Sequence, residues 1–67
     1  MKLTPVESSH IEAIGYEDSV LTISFLNGSI YEYYDVPERV FRELMAAPSK
    51  GIYLKEHIKK KYKTKKV

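Results

Sequence analysis

Apolar positions follow two periods along this chain, an alternating one first and a helical one after it. Ser19 to Leu26 alternates, with Leu21, Ile23 and Phe25 on one face. Asn27-Gly28 follows, and Ser29 to Asp35 is a second β-rich run. Two such runs around Asn-Gly predict a β-hairpin. Upstream, Leu3 to Val6 reads as a short strand or extended lead-in. Ile11 to Tyr16 is a short apolar segment closed by a turn at Glu17-Asp18-Ser19.

Two hairpin registers are open. A two-residue loop pairs Phe25 with Ile30 and sets Glu32 among the apolar side chains, which is costly away from an edge. A three-residue loop, Leu26 to Gly28, pairs Phe25 with Ser29 instead. A one-residue slip exchanges the faces, so Tyr31 and Tyr33 then join the core and Tyr34 looks outward. This second register is favoured, with Gly28 supplying the left-handed bulge conformation.

Beyond Val36 the period becomes helical. Pro37 to Ala47 places Val40, Phe41, Leu44 and Ala47 on one side, and Pro48 stops the run. Ser49 suits the N-cap of a second helix from Lys50 to about Lys60, with Leu54, Ile58 and Tyr62 on its stripe and Ile52 or Tyr53 beside them. Lys63 to Val67 is expected to fray. The order predicts an α+β domain: a small antiparallel sheet of three to four strands, then two helices packed on one of its faces.

Size and charge narrow the function. The 67 residues are one domain, residues 1–67, without Cys to supply a disulfide or thiolate zinc site. No apolar stretch spans a membrane and no signal core follows the N-terminus, so a cytoplasmic address is the default. Residues 1–48 carry three cations against eight acids, whereas residues 49–67 carry eight lysines against Glu56 alone. An acidic body with a basic arm over residues 59–67 points to a polyanion partner.

The run from Phe25 to Pro37 (FLNGSIYEYYDVP), followed by Ser49-Lys50-Gly51, Tyr53 and His57-Ile58, resembles the KTSC domain. The resemblance extends from about Val6 to Tyr62 and centres on Tyr31-Glu32-Tyr33. This family takes its name from the C-terminus of some lysyl-tRNA synthetases and also occurs as small stand-alone bacterial proteins. The resemblance implies RNA binding by analogy with the synthetase setting. It brings no catalytic residues.

Candidate chemistry is concentrated in the lysines. Lys55, Lys59, Lys60, Lys61, Lys63, Lys65 and Lys66, with Tyr62 among them, can neutralise phosphates without reading sequence. In a continuous helix Lys55, Lys59 and Lys63 share one face. The plainer reading is a solvated, solubilising tail. A lipid surface would need an apolar face that the core already uses. Lys50, in Ser49-Lys50-Gly51, can hold a phosphate at a helix start, although a plain N-cap explains the same residues better. Of the clustered tyrosines, Tyr34 is the candidate for stacking on a base. His10 and His57, the sole histidines, have no metal-ligand spacing, and Ser8-Ser9-His10 is no triad, since a triad is assembled across space. The expectation is a non-enzymatic domain without cofactor or metal that binds RNA, tRNA among the candidates, through the lysine-rich helix and arm. The alternative is an interaction domain without nucleic-acid affinity that docks a protein partner or a second copy of itself.

Overall fold

The computed structural model describes residues 3–67. It contains strands β1 (Thr4–Pro5), β2 (Ile11–Glu17), β3 (Val20–Phe25), β4 (Ile30–Tyr33) and β5 (Thr64–Lys66). Helices α1 (Glu38–Ala46) and α2 (Lys50–Tyr53) lie between β4 and β5, and α2 runs on into a π-helical turn, Leu54–Ile58. The sheet is antiparallel throughout, in the order β1-β2-β3-β4-β5. This is the expected α+β class.

The central hairpin takes the three-residue loop. Leu21 pairs with Tyr33 and Ile23 with Tyr31, while the Phe25 N–H donates to the Ser29 carbonyl at 2.8 Å. Gly28 sits at φ 93°, a conformation open to glycine at no steric cost. Glu32 is thereby turned away from the helices. The β2–β3 turn is tighter, with Asp18 (φ 51°) and Ser19 (φ 67°) between the paired Glu17 and Val20. Two successive positive φ values make a type I′ turn, whose twist matches that of paired strands.

The helices cover one sheet face. Val40 and Leu44 of α1 and Leu54 and Ile58 of the second helical segment are buried against Ile11, Ile14, Leu21, Ile23, Tyr33 and Val36. A corner fixes α1 to the sheet. The Val36 N–H donates to the Ser19 carbonyl, the Tyr16 hydroxyl donates to the Val36 carbonyl, and the Tyr16 ring stacks on Phe41 at 5.0 Å. Ser49 caps α2, its hydroxyl accepting from the Ile52 N–H at 3.4 Å.

Three expectations are corrected. The sheet has five strands, not three or four. The C-terminal lysine arm does not fray over Lys63 to Val67: Thr64–Lys66 pairs with β4, and the Val67 N–H donates to the Ile30 carbonyl at 2.9 Å. An edge strand needs backbone partners on one side only, and the free edge of β4 supplies them whatever the side chains. Opposite charge helps, since Lys65 lies across from Glu32. Finally, the second helix ends at Ile58, two residues short of Lys60, and its second half is wound as a π-helix and not an α-helix. Its last turn is closed by an i→i−5 bond from the Lys59 N–H to the Leu54 carbonyl, 2.9 Å.

Candidate nucleic-acid interface

The hairpin tip and the π turn face each other across an open groove. Lys55 and Lys59 reach it from the helical side, and Phe25 and Asn27 from the sheet side. Local sequence sets both walls. The three-residue loop keeps Phe25 and Tyr31 on the helix-covered face, where they meet edge to face at 5.6 Å. Lys55 and Lys59 flank Ile58, which is wholly buried and anchors the turn. The i→i+5 winding of a π turn brings positions five apart towards one side, and Lys60 joins Lys55 in the lining.

The groove has two lobes that share Phe25, Asn27, Lys55 and Lys59. One, about 590 Å³, continues past Ser9, His10, Leu26 and Gly51. The other, about 570 Å³, continues past Ser29, Tyr31, Lys60 and Thr64. Among the described residues no carboxylate lines either lobe. Nor does any ion pair among the described residues engage Lys55, Lys59 or Lys60; the Arg42–Glu38 pair, at 3.0 Å, lies on α1. Uncompensated ammonium groups against an apolar wall attract anions more strongly than the same groups in open water.

The lysines named from the sequence divide into two groups. Lys55, Lys59 and Lys60 converge on the groove. Lys61 and Lys63 are exposed beyond it, and Lys63 contributes its carbonyl to the Tyr34 N–H at 2.9 Å. Lys50 turns back towards the end of α1, its ammonium donating to the Ala47 carbonyl at 3.4 Å. With Ser49 as the cap, the plain N-cap reading describes this segment. Tyr34 lies with Glu32, to which its hydroxyl donates at 2.8 Å, and that bond to a carboxylate holds its phenol above the usual value. Tyr31, half-buried, and Tyr33 both line the groove, but Tyr33 is almost wholly buried, and that burial raises its pKa.

Sequence reasoning did not name Phe25, Asn27 or His10 as groove residues. The favoured register already placed Phe25 and Tyr31 together on one face, and the i, i+4 spacing of Lys55 and Lys59 was visible. What joined them was the docking of the second helix, which no local pattern shows. A second unnoticed cluster links the helices: Tyr53 donates to Glu43 Oε1 at 2.6 Å and its ring lies 4.7 Å from His57. Desolvation foremost, and then the Glu43 hydrogen bond and charge, push the Tyr53 phenol up to about 12. Among the described residues no group of three or more His, Cys, Asp or Glu is placed to hold a metal, and no helix is long and apolar enough to cross a membrane.

Comparison with known proteins places these residues in context. The family model for the KTSC domain matches residues 7–62. The chain is 41% identical over 63 residues to a protein of Tsukamurella paurometabola, covering 91% of this chain and 94% of that one. It is 49% identical over 59 residues to a lysine–tRNA ligase of a Nostoc species, covering 85% of this chain but 10% of the ligase. The crystal structure of a KTSC domain protein from Yersinia pestis superposes with a TM-score of 0.91 at 40% identity, covering 98% of this chain and 96% of that one. With a family match over most of its length and a shared fold at this identity, the chain belongs to the KTSC domain family.

Proposed function

We propose that the protein is a non-enzymatic module that binds nucleic acid, RNA foremost, through the groove between the hairpin tip and the π turn. The observation that carries this reading is the convergence of Lys55, Lys59 and Lys60 on one groove with an aromatic wall and no carboxylate among its described lining residues. Three ammonium groups at such a site exchange condensed counterions for phosphates. The relatives add support of a different kind, since several are lysine–tRNA ligases by name, proteins that handle an RNA.

Self-association by strand pairing, the rival reading, has less support. One sheet edge is β1, two residues long and carrying Pro5; the other, β5, carries Lys65 and Lys66. Short, proline-bearing and lysine-rich edges resist pairing with a second copy.

The test is a fluorescence-anisotropy titration against tRNA at 50 and 200 mM salt. Three phosphate contacts give a log–log slope of about −2.1 to −2.7, so affinity should fall roughly 20- to 40-fold between these salts. The triple variant Lys55→Gln, Lys59→Gln, Lys60→Gln should lose this binding and unfold at an unchanged temperature. Parent protein that shows no affinity for tRNA at 50 mM salt would overturn the proposal.

A further inference from the structure

We infer that the groove takes an unpaired strand, two nucleotides at a time, astride Phe25, with the phosphate between them held by Lys55 and Lys59. This rests on the nucleic-acid reading above and goes beyond it in naming the form of the nucleic acid and the size of the site.

The two lobes carry the argument. They are nearly equal in volume, about 590 and 570 Å³, within the range of about 300–1,000 Å³ of small-molecule sites. Both include Phe25, Asn27, Lys55 and Lys59, so one pair of ammonium groups serves both from the boundary between them. A phosphodiester at that boundary has one nucleoside on each side. Each lobe then offers a flat ring of its own. His10 lines the first, and Tyr31, edge-on to Phe25, lines the second. Hydroxyl groups accompany each ring, from Ser9 in the first lobe and from Ser29 in the second, where the Thr64 hydroxyl already donates to the Glu32 carbonyl at 3.0 Å. A ring with polar groups beside it suits the face and edge of a splayed base.

A duplex does not fit this arrangement. Its bases are stacked and paired, and its convex backbone would meet only the lysine tips above a concave floor. A-form RNA also presents a deep, narrow major groove that side chains do not read. The lobes would stay empty.

Charge alone predicts the opposite preference. Counterion release per contact is larger for a DNA duplex, about 0.9, than for a single strand, about 0.7. Tighter binding to single strands therefore reports on the lobes and not on the lysines.

The experiment measures full-chain binding to a ten-nucleotide single-stranded RNA, a DNA of the same sequence, and RNA and DNA duplexes with the same number of phosphates, all at 100 mM salt. Single strands binding at least tenfold tighter than either duplex support the inference, and the tighter of RNA and DNA identifies the sugar. His10→Ala and Tyr31→Leu should each weaken single-strand binding by about fivefold or more, as expected for a lost stacking partner, and leave duplex binding unchanged. Tyr31 also packs against the core, so a mutation-free readout accompanies it. On titration with the dinucleotide UpU, amide NMR signals of Ser9–His10 and of Ser29–Tyr31 should shift together. Equal affinity for single strands and duplexes, or shifts confined to one lobe, overturns the inference while the nucleic-acid reading stands. No binding to any of the four overturns both.

Discussion

Tyr16→Phe isolates the corner that holds α1 to the sheet. The substitution keeps the ring, and so the 5.0 Å stack on Phe41, and deletes only the hydroxyl that donates to the Val36 carbonyl. Val36 is wholly buried, so no water is at hand to replace the lost donor. Its N–H is already committed to the Ser19 carbonyl, at 2.9 Å. Leaving one buried acceptor without a partner costs about 1–3 kcal/mol. A chain of 67 residues has a total stability of about 3–10 kcal/mol, so this hydroxyl accounts for a large part of it. The midpoint of thermal unfolding should fall by about 4–8 °C for each kcal/mol lost. Urea unfolding monitored by circular dichroism checks the free energy, with the slope m unchanged if the native state stays compact. Tyr16→Leu, which also removes the stack, should lose about 0.5–1.5 kcal/mol more on that account. A Tyr16→Phe protein within 0.5 kcal/mol of the parent would refute the reasoning, because the carbonyl would then have been open to solvent.

Further outcomes follow from the backbone and from one phenol. Ser19→Gly should stabilise the fold by up to about 1 kcal/mol, since Ser19 holds φ 67° in a turn that prefers glycine there; chemical denaturation reads the gain. Gly51→Ala should stabilise by about 0.5–1 kcal/mol through helix propensity, because the added methyl would lie 3.7 Å from His10 Cδ2, ordinary contact distance. The Tyr53 phenol should titrate near 12, read by ultraviolet absorbance as a late step that Tyr53→Phe removes. Its folded pKa lies above the unfolded value of 10.0, so its contribution to stability is complete below pH 10 and is lost as pH rises from 10 towards 12. Glu43→Gln should move that step down, because it removes the carboxylate that holds the proton on Tyr53.

The sheet was legible wherever a side chain had a strong reason to choose a face. Glu32 is the clearest case. Its charge disfavours the two-residue loop, and the structure turns it outward. Turn chemistry at Asn27-Gly28 and the cap at Ser49 were legible because local hydrogen bonding and backbone freedom decide them. β5 was not legible, since Thr64-Lys65-Lys66 has no apolar alternation and its pairing depends on a β4 edge more than thirty residues away. The π turn was hidden for a related reason. Leu54 and Ile58 have α-helical spacing, and the winding of the last turn is settled by how Ile58 and Tyr62 seat against the core. The lysines were visible as a run, but their division between groove and solvent follows from those two tertiary facts.

The place of β5 also bears on how the molecule assembles. β1 to β4 pair strictly in sequence order, so each hairpin closes a short loop. β5 instead meets β4 across both helices, with Thr64 reaching Tyr33 from 31 positions away. Loop-closure entropy therefore opposes that pairing until α1 and the second helical segment have docked and shortened the path. Thr64 and Lys66 are expected to contribute nothing to the folding transition state, with substitutions there accelerating unfolding and leaving the folding rate unchanged. Stopped-flow chevrons of Thr64→Ala would show it, and a slowed folding arm would place β5 in the nucleus instead. On this account the nascent domain forms its acidic meander first, and the wall of the groove that includes Thr64 closes last.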